Sequence, residues 1–89
     1  MQLGDYGLHF TSEWCSACKQ MRPVIEELIK EGYFIRFIDY NRNADLVQQY
    51  KISNVPTLVI KTNEGKEVTR FIGVTSQDKI KKVLKNVKI

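Results

Sequence analysis

From Tyr6 to Phe10 the side chains alternate, with Tyr6, Leu8 and Phe10 on one side, and this predicts a short strand. Thr11-Ser12-Glu13-Trp14 breaks the alternation. From about Cys15 to Glu31 the apolar positions are Ala17, Met21, Val24, Ile25, Leu28 and Ile29, a spacing of three and four that predicts an amphipathic helix. Pro23 lies inside it and is expected to kink it; Gly32 is a stop signal. Tyr33 to Ile38 is aromatic and β-branched and reads as a second strand. Asp39 to Asn43 is a polar turn, and Ala44 to Lys51 a short helix with Leu46, Val47 and Tyr50 facing inward. Thr57-Leu58-Val59-Ile60 is nearly continuous in its apolar character, as a buried strand is. The turn signal Asn63-Glu64-Gly65-Lys66 joins it to an alternating run, Glu67 to Ile72, so the two form a hairpin. Thr75 or Ser76 caps a last helix, whose stripe is Ile80, Val83, Leu84 and Val87.

The order is therefore β-α-β-α-β-β-α. Helical connections after the first two strands imply right-handed crossovers and a parallel core, to which the hairpin adds an antiparallel edge. A four-stranded mixed sheet flanked by helices is the economical packing. With 89 residues the chain is read as a single domain over 1–89, since a second core would leave each half too small to fold unaided. Charged residues are 27% and hydrophobic ones 43%, a globular balance. No apolar run approaches a membrane span, and no signal peptide is visible at the N-terminus, so a reducing, cytoplasmic setting and no membrane association are expected.

Charge is uneven. Residues 1–45 carry 5 basic and 7 acidic side chains, whereas residues 46–89 carry 9 and 3. Much of the excess is Lys79, Lys81, Lys82, Lys85 and Lys88. These read as a solvated helix face; without arginine clusters or a glycine-aromatic RNA motif, no nucleic-acid partner is expected.

The chemistry lies in Trp14-Cys15-Ser16-Ala17-Cys18-Lys19, where a strand gives way to a helix. A cysteine at a helix start meets unpaired backbone N–H groups and the positive end of the macrodipole, which favour a thiolate. Two intervening residues let Cys18 fold back onto a mixed disulfide at Cys15, which makes Cys15 the nucleophile and Cys18 the resolving thiol. The same C-x-x-C is half of many zinc sites. Two cysteines and one histidine are too few for a four-ligand site in one chain, so metal would require a second chain. One pair only, after a strand and opening a helix, points to redox chemistry.

With these residues in view, the chain resembles the thioredoxin superfamily, and most closely the thioredoxins themselves. The matching pieces are Glu13-Trp14-Cys15-x-x-Cys18-Lys19, Pro23 eight residues after Cys15, Val55-Pro56-Thr57, and Gly73 after the hairpin. The fold implied is α/β, a minimal thioredoxin core without the extra N-terminal strand and helix, similar in layout to a glutaredoxin. The resemblance implies a cis bond before Pro56, and a substrate-binding surface of Trp14, Val55, Pro56 and Gly73. It further implies a protein-disulfide reductase working as a monomer without metal or bound cofactor, on disulfide-containing proteins, with electrons from a reductase.

The chain departs from the family pattern in three ways. Ser16-Ala17 replaces the usual Gly-Pro. His9 stands six residues before Cys15, where a buried aspartate is expected, and Phe37 stands in place of that aspartate's lysine partner. His9 could take the proton of Cys18 as a catalytic base, or simply fill space. The competing classes are a binding module with incidental cysteines and a metal carrier bridged across two chains.

Overall fold

The sheet is built around β1 (Tyr6–Thr11), which lies between β2 (Ile35–Asp39) and β3 (Thr57–Lys61), while β4 (Glu67–Ile72) pairs with the far side of β3. The structure is a computed structural model and describes residues 3–85. Between the strands run α1 (Ser16–Lys30) and α2 (Ala44–Gln49), and α3 (Gln77–Lys81) follows β4. The element order and the four-stranded mixed sheet are those expected.

The direction of β3 is not. β1 and β2 are parallel, but β3 runs antiparallel to β1, so parallel pairing is confined to one pair of strands. The chain enters β3 at the end where it left β2: Thr11 is opposite Asp39, and Phe10 opposite Thr57.

Alternation along β1 divides the core. Leu8 and Phe10 join Ile38, Ile52 and Val59 on one face, covered by Leu46, Val47 and Tyr50 at α2. On the other face Met21, Ile25 and Leu28 of α1 pack with Ile35, Leu58, Ile60, Ile80 and Leu84. All five residues of β3 are buried, which explains its unbroken apolar character. Ile29, placed in the stripe of α1, is exposed instead. The helix continues across Pro23 as one element and stops at Gly32, whose φ of 100° a side chain would resist.

The last helix is shorter than its apolar spacing suggests. It is capped by the Ser76 side chain, which accepts from Lys79 N, and ends at Lys81. Leu84 then forms a parallel bridge with Gly4. The Gly4 N–H donates to Val83 O at 2.9 Å and Lys85 N–H to Gly4 O at 2.7 Å. These bonds draw the chain out of helical geometry. Lys81 does not belong to a free solvated face, because it pairs with Glu31 at 2.6 Å. Val87 and Lys88 lie outside the described residues.

Candidate active site

Cys15 is the N-cap of α1, in extended backbone geometry (φ −104°, ψ 118°). Its sulfur receives the Cys18 N–H at 3.2 Å, so the thiol occupies the place of a capping oxygen. It also donates to Val55 O at 3.6 Å. Cys15 is half-buried, whereas Cys18, one turn on, is only 2% exposed. Burial pushes the Cys18 thiol above its ordinary range, and its hydrogen bond to Cys15 pushes the same way. Smaller opposing influences from Thr11 and Ser12 do not reverse that direction.

The Val55–Pro56 bond is cis. Its loop is tied down by the Thr57 hydroxyl, which donates to Asn54 O at 2.7 Å. Gly73 N–H donates to Pro56 O at 2.8 Å, which joins the segment after β4 to the proline loop. Cys15, Val55, Pro56 and Gly73 are thus one continuous surface, with Trp14 beside Cys15 and 84% exposed. Pro56 is itself buried, and of the cis pair only Val55 is partly exposed. Gly73 has a φ of 86°, and a Cβ built there would meet nothing within 4 Å. Glycine is therefore required by the backbone, over open space. Ile72 and Val74, on either side of it, are 60% and 52% exposed. Neither is among the site residues that the sequence leads one to expect. The signal was the pair Phe71-Ile72, since only one of two neighbours on a strand can face the core.

His9 lies apart from this surface, on the α1 face of the sheet and fully buried. It is the register partner of Phe37, and the two rings meet edge-on with centroids 5.4 Å apart. The two positions where an aspartate and a lysine are expected thus hold an aromatic pair. Burial lowers the His9 pKa to about 4, with a contribution from the Arg22 charge. Among the described residues neither ring nitrogen has a hydrogen-bond partner.

An α/β core with a half-exposed cysteine capping a helix, a buried one a turn behind it and a cis-proline loop across from them defines a protein of thiol–disulfide exchange. Comparison with known proteins agrees. The family model for thioredoxin matches residues 5–86. The thioredoxin of Chlamydia trachomatis is 33% identical over 79 residues, covering 86% of this chain and 76% of that protein. An H-type thioredoxin of Fagopyrum esculentum is 31% identical over 85% of this chain and 66% of its own length. Among solved structures, Fasciola hepatica thioredoxin superposes with a TM-score of 0.80 at 28% identity, covering 91% of this chain and 83% of that one. A single-substitution mutant of a Halobacterium salinarum thioredoxin also gives 0.80, at 27% identity, over 93% of this chain and 77% of that one. The chain belongs to the thioredoxin family, and it is a protein thiol–disulfide oxidoreductase. No described helix is long and apolar enough to cross a membrane.

Proposed function

We propose that this protein reduces disulfides of other proteins, with Cys15 as the attacking sulfur and Cys18 as the resolving one. The observation that carries this is the asymmetry of the pair: Cys15 caps the helix and is half-open to solvent, while Cys18 is shut behind it. The Cys15 thiolate attacks one sulfur of the target disulfide, and the other leaves as a thiolate that takes a proton. Cys18 then attacks Cys15 in the mixed disulfide. The second target sulfur leaves with the electron pair, and a Cys15–Cys18 disulfide remains. Two electrons pass to the target, and a reductase must return them.

Docking falls on Trp14, Val55, Pro56 and Gly73, with Ile72 and Val74 extending the apolar area. An extended target segment pairs with the backbone at Val55, as in strand addition. No metal or bound cofactor takes part in this cycle. A monomer in a reducing compartment, the cytoplasm, suits the role. For His9 we propose packing rather than proton transfer. An imidazole with a pKa of about 4 is several units too weak a base for a thiol raised above its usual range, at roughly 1.4 kcal/mol per unit.

Labelling tests the assignment. Iodoacetamide given to the reduced protein near pH 7 is expected to modify Cys15 well before Cys18. Cys18→Ser should accumulate mixed disulfides with target proteins, whereas Cys15→Ser should not. Preferential modification of Cys18, or trapping by the Cys15 variant, would reverse the roles.

A further inference from the structure

Ile72 and Val74 present their apolar area to a target only while the chain between them keeps its shape. Gly73, with positive φ and no side chain, gives that chain little restraint of its own. Each peptide plane from Ile72 to Thr75 is instead held by a hydrogen bond. The Ile72–Gly73 plane donates its N–H to Pro56 O at 2.8 Å. The Gly73–Val74 plane accepts, at Gly73 O, from the Thr75 hydroxyl at 3.1 Å. The Val74–Thr75 plane donates the Thr75 N–H to Met21 Sδ at 3.5 Å. Of these three bonds the last alone reaches α1. Met21 lies one turn after Cys18, buried in the core cluster that holds Ile25, Leu58 and Ile80. An unbranched thioether suits both tasks: it fills the core as a hydrocarbon would, and its sulfur accepts a hydrogen bond that a hydrocarbon cannot.

We propose that Met21 is a positioning residue for target docking: its sulfur, by holding the Thr75 amide, ties the segment that carries Val74 to the helix that carries the cysteine pair. The inference rests on protein disulfides docking at the rim around Cys15. Without the sulfur, the part-buried Thr75 N–H loses this partner, and a backbone donor left so turns its plane toward water. Val74 turns with it, because that plane carries the Val74 carbonyl. The segment must then be ordered again each time a target docks, which weakens binding. Attack itself is untouched, since the Cys15 sulfur has its own contacts, with the Cys18 N–H and with Val55 O. A small disulfide therefore reports on the attacking sulfur alone, and a protein disulfide reports on the rim as well.

The test exploits the scarcity of methionine, since Met1 is the only other one in the chain. Norleucine incorporation exchanges the sulfur for a methylene at nearly constant shape, whereas selenomethionine keeps an acceptor. Insulin serves as the protein disulfide, with dithiothreitol as reductant, and 5,5′-dithiobis(2-nitrobenzoate) as the small one. In the norleucine protein the KM for insulin should rise about fivefold, the effect of one ordinary hydrogen bond, with kcat and the rate of attack on the small disulfide unchanged. Its Thr75 amide should exchange with deuterium faster than the parent's. The selenomethionine protein should match the parent in both. Met21→Leu, which retains Met1, should behave as the norleucine protein does and so assigns the effect to position 21. Packing alone predicts no loss with norleucine, because volume and apolar character are kept. A norleucine protein with the parent's KM and Thr75 exchange, or a selenomethionine protein as impaired as it, overturns the proposal. A parent protein that attacks the small disulfide but leaves insulin intact would overturn the docking reading itself, which separates the two failures.

Discussion

At the scale of single residues, His9 shows how burial, aided by the Arg22 charge, sets a titration. The imidazole is fully buried without a partner among the described residues, so its charged form is disfavoured in the folded state. Its pKa falls from 6.5 unfolded to about 4 folded. Between these values the unfolded chain binds more protons than the folded one, so stability rises with pH across that window. The difference is on the order of 3 kcal/mol, fully present above pH 6.5 and lost as pH falls toward 4. His9→Leu removes both the titration and the unpaired nitrogens. Its urea midpoint at pH 7 is expected to equal or exceed the parent's, and to drop less between pH 6.5 and 4.5. Parallel pH dependences in the two proteins would show that another group dominates acid sensitivity. The Glu67 carboxylate, held below its usual range by Arg70, loses its contribution only at lower pH, and it does so equally in both proteins.

At the scale of elements, local pattern located every strand and helix but left two facts to long-range geometry. Leu84 was read as helical because its spacing from Ile80 is helical; its partner Gly4 lies at the other end of the chain, beyond any local window. Likewise the pattern shows that Thr57–Lys61 is buried but says nothing of its direction, which its antiparallel pairing with β1 sets. The site divided the same way. Cys15, Cys18 and Pro56 announce themselves by type and spacing, whereas Ile72 and Val74 come beside them only through the fold, by way of the Gly73 N–H bond to Pro56 O. Gly4 yields a further prediction. A Cβ there would lie 2.1 Å from Cγ2 of buried Ile60 and 3.2 Å from Lys61 O. Gly4→Ala must therefore push the bridge off the sheet, at a cost of about 1–3 kcal/mol for overpacking a filled core. The urea midpoint should fall accordingly, and the Lys85 amide, bonded to Gly4 O, should lose protection from hydrogen exchange. An alanine variant with parent stability and protection would mean that the chain end bears no such constraint.

At the scale of the whole molecule, the question is whether targets are captured by the apolar rim around Cys15 or by the positive charge late in the chain. Distance decides. The 15 residues of α1 span about 22 Å, with Cys15 at one end and Glu31 just past the other. Lys81 pairs with Glu31, so α3 and its lysines are tied to the end remote from the reacting sulfur. At 0.1 M salt the screening length is about 10 Å, so those charges steer encounters weakly and stabilise nothing at the sulfur. The rim of Trp14, Ile72 and Val74 is adjacent to the chemistry and exposes apolar area that docking would cover. Replacing Gly73 is a poor test, because its positive φ would strain any substituent regardless of docking. Trp14→Ala combined with Ile72→Ser probes the rim directly. For reduction of a protein disulfide, kcat/KM is expected to fall by about tenfold or more, while the rate of attack on the small disulfide 5,5′-dithiobis(2-nitrobenzoate) changes little, since it does not need the rim. Reversing Lys79 and Lys82 to glutamate should alter only the salt-dependent part of the association rate, and should have no effect near 1 M salt, where screening acts within about 3 Å. Loss of protein-disulfide turnover in the lysine variant at high salt, with the rim variant unaffected, would move the docking surface to the opposite end of α1.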